Sequence, residues 1–374
     1  MVNMNLCVVS PNLYPCMTGG LEIFNYYLIR ELTRRGHHVW YATRCGKDLG
    51  FPSSHPIILG ERNLVFPGIS TTASLISSIL RLRNEIDLLH VPYTSNSPLA
   101  LPLVILHRLT GIPYVLYIHG GGMHAWKRPF LQKRLFRQAA EIVAVSEPIR
   151  EEYEQRTGRR VRLIYPLIPF QTSHVSARAL KERYGFGADD TLILSVGSLK
   201  RIKGSDTLLS AFLLLGASYI KEHGLRLVFA GEGVLRRNLE IRARESEVPD
   251  RITFLGNVPY ERVSELYTMA DLYIIPSLFE GTPKSLLEAM YHGLRIIGSD
   301  TNGINDKIIH GKEGLLFPTD SVEDLRDTLI RVLEDPASHE LGARAREKYQ
   351  AQYSFERTLG EIETLYTGIL KVPE

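Results

Sequence analysis

Short, continuous apolar runs recur along the chain, each followed by a longer amphipathic stretch. The first series is "MNLCVVS", "HHVWYAT", "DLLHVPY", "YVLYIH", "EIVAVS" and "VRLIY". Runs that are apolar throughout, rather than alternating with polar residues, belong to strands buried on both faces, and helices between them predict parallel sheets. After residue 190 the series starts again with "TLILSVG", "LRLVFAG", "RITFLG", "DLYIIPS", "LRIIGS" and "GLLFP". Between the two lies "YPLIPFQTSHVS", residues 165–176, which is rich in Pro and Ser, has no period and reads as a linker. The pattern predicts an α/β protein of two doubly wound domains, residues 1–172 and 173–351. The loops at the carboxyl ends of their strands are expected to face a central cleft. The closing stretch "YSFERTLGEIETLYTGIL" repeats apolar positions at helical spacing. It predicts a terminal helix within 352–374 that crosses back towards the first domain.

Composition narrows the class. At 374 residues the chain exceeds the size at which a single core usually stops growing. Its 44% hydrophobic and 23% charged residues are those of a soluble globular protein. Cys7, Cys16 and Cys45 form no Cys-x-x-Cys pair, and their odd number leaves no complete disulfide framework, which points to a reducing cytosol. The first residues, "MVNMNLCVVSPN", do not read as a signal peptide, and no apolar run reaches the roughly 20 residues of a membrane span. A cytoplasmic protein is therefore expected. The net charge of +3 conceals a division, because residues 1–172 hold 19 Lys and Arg against 11 Asp and Glu, a net of +8, and the remainder holds 25 against 30, a net of −5. An anionic partner for the first half alone would account for that polarity.

Candidate chemistry concentrates in "PSLFEGTPKSLLEAMYHGLRIIGSD", residues 276–300. A strand ends, a loop turns at Glu280 and Gly281, and Thr282-Pro283 reads as N-cap and first residue of a helix. The N–H groups of Lys284 and Ser285 then lie at the positive end of a helix dipole, a ready anion site. Glu288 follows Glu280 by eight residues, about 12 Å if the spacing were wholly helical, so the two carboxylates grip different parts of one extended ligand.

"FEGTPKSLLEAM" resembles the Glu-x7-Glu signature of retaining glycosyltransferases with the GT-B fold, two Rossmann-like domains around a cleft, and the resemblance runs through nearly the whole chain. It implies that Glu280 contacts the donor sugar's hydroxyls, that Glu288 contacts the nucleotide ribose, and that the amides from Gly281 to Ser285, through Thr282, Pro283 and Lys284, meet sugar and diphosphate. "GSLKRIKG", residues 197–204, matches that family's phosphate-binding Gly-Arg-Leu-x-x-x-Lys-Gly, with Lys203 as the lysine that neutralises the diphosphate. Ser198 stands where the arginine is usual. Lys200 or Arg201 could supply its charge, and Arg201 is preferred because its fork takes two phosphate oxygens. The resemblance also implies backbone contacts at Gly19 and Gly20 in "MTGGLEIF" and at Gly231 and Gly233 in "AGEGVLRR", where the missing Cβ permits close approach.

"YVLYIHGGGMH", residues 114–124, has three readings on its own: an oxyanion hole, a sugar-phosphate site, or a tight turn after a buried strand. No Gly-x-Ser-x-Gly nucleophile elbow occurs in the chain, which removes the hydrolase reading. The resemblance assigns His119 to the donor sugar's 6-hydroxyl.

The implied chemistry needs neither a protein nucleophile nor a cofactor, since the leaving diphosphate helps to deprotonate the acceptor while Lys203 and the helix end stabilise its charge. No Asp-x-Asp pair is present, and His119 with His124 makes a poor zinc site, so a metal-independent enzyme is expected. The nucleotide sugar is then a co-substrate and the acceptor a glycan or lipid-linked hydroxyl. In "HAWKRPFLQKRLFRQAAE", residues 124–141, Trp126, Phe130, Leu131, Leu135 and Phe136 alternate with five cations, as in an interfacial helix. That stretch predicts reversible contact with anionic membrane at its cytoplasmic face, weighed against an ordinary amphipathic helix whose aromatics are core. The competing class is a sugar-nucleotide-binding GT-B protein of another activity: an epimerase, a phosphorylase or a non-enzymatic binder. Nucleic acid is not expected as a partner, because no recognition motif accompanies the basic half.

Overall fold

The computed structural model describes residues 3–17, 20–46, 48–59, 67–93, 99–119, 129–167, 169–281 and 283–371. The chain divides into two compact units, residues 1–169 with 354–374, and residues 170–353.

In the first unit the elements run β1 (Asn5–Val9), α1 (Gly20–Arg34), β2 (His38–Thr43), β3 (Ser54–Ile58), α2 (Pro67–Arg81), β4 (Leu88–Tyr93), α3 (Ala100–Thr110), β5 (Tyr114–Ile118), α4 (Pro129–Gln138), β6 (Glu141–Ala144), α5 (Glu147–Thr157) and β7 (Arg162–Leu163). Among the described residues they form a parallel sheet in the order β3-β2-β1-β4-β5-β6-β7. Every residue of β4 and β5 is buried, as the uninterrupted apolar runs require of strands covered on both faces.

The second unit runs α6 (Ala177–Arg183), β8 (Thr191–Val196), α7 (Ser205–Leu214), α8 (Ala217–Glu222), β9 (Leu225–Ala230), α9 (Arg236–Arg244), β10 (Ile252–Gly256), α10 (Tyr260–Met269), β11 (Leu272–Ile275), α11 (Lys284–His292), β12 (Arg295–Ser299), β13 (Leu315–Phe317), α12 (Val322–Glu334) and α13 (His339–Gln352). Its parallel sheet has the order β10-β9-β8-β11-β12-β13 among the described residues. Its core gathers Leu208 and Phe212 of α7, Leu227 and Phe229 of β9, and Leu325 and Leu329 of α12. In both sheets the strand order reverses beside the first strand of the unit, the place where an open α/β sheet leaves a crevice at its carboxyl ends.

The last helix, α14 (Phe355–Lys371), belongs to the first unit, where Leu359, Ile362, Leu365 and Tyr366 join the core. The Tyr366 hydroxyl meets Nδ1 of His90, a fully buried residue of β4, at 2.6 Å. Met4 donates its N–H to Nδ1 of His37, so Nε2 carries the proton and donates it to Glu363 of α14 at 3.2 Å. Arg35 pairs with the same carboxylate.

One expectation is corrected. Cys16 and Cys45 are joined in a disulfide with Cα atoms 6.0 Å apart, and Cys7 alone stays free, buried in β1. The bridge ties the loop after β1 to the loop after β2. Those loops meet because the two strands pair in parallel from Asn5 with His38 to Val9 with Ala42, a register that cysteine spacing does not encode.

Candidate active site

The sequence candidates of the second unit gather at its switch point. The loops leaving β8 and β11 enclose a small pocket lined by Gly197, Lys203, Ser205, Ser277, Glu280 and Ser285, with about 20 Å³ of free volume, room for a single water. Ser205 opens α7 and Ser285 lies in the first turn of α11, so two helices present unsatisfied N–H groups and positive dipole ends to one place. Gly204 makes this convergence possible. It sits at φ 63°, and a Cβ there would fall 2.0 Å from the Pro276 carbonyl oxygen at the end of β11. The Leu278 N–H donating to the Ile202 carbonyl at 2.9 Å fastens the two loops together.

Within the pocket Lys203 Nζ lies 2.6 Å from Glu280 Oε1, and the Ser277 hydroxyl donates to the same oxygen at 2.7 Å. Glu280 is only 7% exposed, so these partners stand in for the water its oxygens have lost. Arg201, preferred from the sequence as the stand-in for the missing arginine, is already engaged, its guanidinium donating to Asp206 at 2.6 Å and to Asp320 at 2.7 Å. A phosphate there would compete with two carboxylates. Lys200 stands exposed just before the 3-10 turn Arg201–Lys203, and Ser198 itself lines the pocket.

The helix after Glu280 begins later than its sequence suggests. Pro283 is the N-cap rather than the first helical residue, extended at ψ 106°, with its carbonyl accepting from the Leu286 N–H at 3.1 Å. Gly281 is half-buried, and Thr282, read as the cap, lies outside the described residues. Lys284 and Ser285 then occupy the first turn, where no preceding helical carbonyl meets their N–H groups.

Glu288 occupies the next turn, against Tyr267 of α10. Burial raises its carboxyl to about 7, opposed by contact with the Tyr267 hydroxyl and by the charge of Lys284. Tyr273 of β11 lines the pocket and is fully buried, as is Lys307, whose ammonium pairs with Asp306 at 2.9 Å. Burial lowers the Lys307 pKa, while Asp306 and, more weakly, Glu280 support its charge.

Ser277, Tyr273, Tyr267 and Lys307 were not singled out from the sequence. Only Ser277 left a signal there, as a hydroxyl closing the strand three residues before Glu280.

Gly231 and Gly233 have a demonstrable packing role. A Cβ at Gly231 would lie 1.9 Å from the Gly197 carbonyl oxygen, and one at Gly233 would lie 2.2 Å from that of Leu199. These glycines let the loop after β9 press against the loop that carries Lys203.

In the first unit, Gly20 is the exposed first residue of α1, and Gly19 lies outside the described residues. His119 follows β5, donates its backbone N–H to the Tyr93 carbonyl at 3.2 Å, and packs its ring against Phe24 and Tyr117 with centroids 4.6 and 5.2 Å away. The glycines that follow it and residues 124–128, with His124 and Trp126, lie outside the described residues. The apolar positions of α4 divide between core and surface. Leu135 and Phe136 are core residues and Leu131 is half-buried, because they face the sheet, whereas Phe130 is 81% exposed.

Among the described residues no group of three His, Cys, Asp or Glu is placed to hold a metal ion, and no helix is long and apolar enough to cross a membrane. The groups gathered here suit a phosphate, through Lys203 and two helix ends, and carboxylates that accept from hydroxyl groups, once the Lys203–Glu280 pair exchanges partners.

Comparison with known proteins agrees with the fold. Residues 176–351 match the family model described as glycosyl transferases group 1, and residues 18–171 match the model of glycosyltransferase family 4. The chain is 25% identical over 374 residues to the N-acetyl-alpha-D-glucosaminyl L-malate synthase of Bacillus anthracis, covering 96% of each. It is 23% identical to the GDP-mannose-dependent alpha-(1-6)-phosphatidylinositol monomannoside mannosyltransferase of Mycobacterium tuberculosis, over 98% of this chain and 99% of that one. Among solved structures, the complex of HepE from Anabaena with UDP and glucose superposes with a TM-score of 0.77 at 16% identity, covering 98% of this chain and all of that one.

Proposed function

The chain belongs to the group 1 glycosyltransferases, and from that premise we propose a metal-independent, retaining hexosyltransferase that takes its sugar from a nucleoside diphosphate. The acceptor is a hydroxyl of a glycan or of a lipid-linked molecule reached at the cytoplasmic face of a membrane. What carries this reading is the convergence of Lys203 and the N-termini of α7 and α11 on one pocket. That arrangement suits a diphosphate leaving group, whose charge grows as the glycosidic bond breaks.

In the reaction, the bond from the anomeric carbon to the diphosphate oxygen breaks, and one to the acceptor oxygen forms on the same face of the sugar. The acceptor's proton passes to the departing diphosphate. The chain's own residues bind and orient. Glu280 accepts hydrogen bonds from the sugar's hydroxyls, and Glu288 accepts them from the ribose. Because Lys203 and Glu280 satisfy each other at 2.6 Å, donor binding exchanges their partners, with phosphate taking the ammonium and sugar hydroxyls taking the carboxylate.

A thermal-shift panel of UDP-, GDP- and ADP-linked sugars tests the donor site. At least one is expected to raise the melting temperature of the wild type, and to raise it less in Lys203→Ala and Glu288→Ala. No response in the wild type, or equal responses in both variants, overturns the assignment. Binding without transfer to any glycan or lipid-linked acceptor would favour a non-enzymatic sugar-nucleotide binder.

A further inference from the structure

Among the described residues lining the donor pocket, Lys203 is the one cation, and Ser198 stands beside it. The placing of that single ammonium therefore decides how well a phosphate is met. Lys203 closes the 3-10 turn Arg201–Lys203, and the residue that opens the turn faces elsewhere. The Arg201 guanidinium spreads over two carboxylates, donating to Asp206 in the first turn of α7 at 2.6 Å and to Asp320, between β13 and α12, at 2.7 Å.

Asp320 carries the connection further. Its second oxygen accepts from the hydroxyl of Thr207, a buried residue of α7, at 2.9 Å. One carboxylate thus joins the turn that ends in Lys203, the helix that opens beside the pocket, and the loop that leads into α12. Asp320 does so at φ 64°, in the left-handed region that L side chains seldom adopt. Such a conformation persists where several contacts determine it together, and both Asp320 oxygens are engaged. On the other side of the turn, the Leu278 N–H holds the Ile202 carbonyl at 2.9 Å. A guanidinium fixed on two carboxylates has its charge met already, whereas its planar fork sets the geometry of whatever it joins.

We propose that Arg201 and Asp320 are positioning residues, whose pair braces the 3-10 turn and so aims the Lys203 ammonium at the diphosphate. Only the last step rests on the donor reading above, because the brace exists without a ligand.

Asp320→Asn tests it in the full chain. Asn adopts the left-handed conformation as Asp does and still accepts from Thr207, but it turns an amide donor towards Arg201. In hydrogen–deuterium exchange read by mass spectrometry, without ligand, the peptide spanning 198–205 should exchange about two- to fivefold faster, the change in local opening that one exposed ion pair accounts for. Exchange in β8 and β9 should stay at its wild-type rate. With the nucleotide sugar that most stabilises the wild type, kcat/KM should fall by a similar factor in Asp320→Asn and in Arg201→Gln. Neither change should lower it further in a Lys203→Ala background, whereas a general structural loss would lower both backgrounds alike. Unchanged exchange in 198–205, or a loss of transfer that persists in Lys203→Ala, overturns the proposal. Tighter binding of the matching nucleoside diphosphate by Asp320→Asn overturns it as well, and would make Arg201 a phosphate ligand that Asp320 holds back. Faster exchange in a chain whose wild type responds to no nucleotide sugar upholds the brace and sinks the donor reading alone.

Discussion

The two units share one plan, and their described residues fill it with different chemistry. In each, the strand order reverses beside the first strand, at β1 and β4 in one and at β8 and β11 in the other. The second unit places an ammonium, a carboxylate and two helix N-termini at that point. In the first unit, the neighbourhood of the β4 and β5 ends is aromatic. Phe24 lies 5.1 Å from Tyr117 and 4.6 Å from His119, and His90 lies 5.2 Å from Tyr117. The fold thus supplies a place, and the residues at the strand ends decide its chemistry.

The strongest way to break that contrast is to remove its charge. Lys203→Ala should lower transfer by about 10²–10³-fold, the usual loss when one preorganised donor to a developing anion is deleted. His119→Ala should lower transfer while leaving nucleotide affinity intact, since its ring packs among Phe24 and Tyr117 and its assigned contact is the donor sugar's 6-hydroxyl. Glu280→Gln should tighten binding of the free nucleoside diphosphate, because Lys203 is released from its 2.6 Å partner, while erasing the preference for the sugar-bearing donor. Isothermal titration with UDP and a UDP-sugar reads both. Equal losses of nucleotide affinity in Lys203→Ala and His119→Ala would remove the distinction between the units.

A smaller effect tests the packing beneath the phosphate loop. Gly233→Ala places a methyl group 2.2 Å from the Leu199 carbonyl oxygen, and the backbone must shift to admit it. About 2 kcal/mol of lost stability is expected, typical of forced overpacking. Chemical denaturation measures it, and an unchanged midpoint would show that the two loops are not pressed together.

The buried carboxyls sharpen the contrast through pH. Glu288 is raised from an ordinary 4.5 to about 7, chiefly by burial, so the folded second unit holds a proton that the unfolded chain has released. Its contribution to stability therefore falls as pH rises from about 4.5 through about 7. Glu363 in the first unit moves the other way. Burial pushes it up, but the hydrogen bond from His37 and the charge of Arg35 outweigh burial and hold it below its ordinary value. Its contribution is complete above that ordinary value and is lost as pH falls through the lowered one. Melting curves of Glu288→Gln and Glu363→Gln should thus diverge from the wild type at opposite ends of the range, the first more stable at high pH and the second less stable except in acid. Nucleotide affinity should also rise through about pH 7 in the wild type and stay flat in Glu288→Gln, since only the ionised carboxylate accepts from both ribose hydroxyls.

Much of this was legible along the chain because it is local. Apolar runs mark strands buried on both faces, and Glu280, Pro283 and Glu288 mark a strand end followed by a helix start. Lys203 was legible by its place in a glycine-bounded loop. Contacts between loops were not, since they depend on which strands become neighbours. The Cys16–Cys45 bridge needs β1 beside β2, Leu278 reaches the Ile202 carbonyl only because β11 lies beside β8, and Arg201 meets Asp320 over 119 residues of sequence. Phe136 and Phe130 look alike in the sequence, and only the position of the sheet makes one core and the other surface.

The least costly break separates the units by their hydrogen bonds. Tyr366→Phe removes the hydroxyl that meets His90 Nδ1 at 2.6 Å and leaves the ring volume unchanged. Burial holds the His90 pKa down at about 3, so the imidazole is neutral and loses a hydrogen bond rather than an ion pair. The expected cost is about 1 kcal/mol, the typical net value of such a bond. Because α14 packs into the first unit, the loss should lower the melting temperature and leave the shift produced by a nucleotide sugar at its wild-type size. A reduced nucleotide shift in this variant would mean that the donor pocket depends on the anchoring of α14, and the division of chemistry between the units would have to be redrawn.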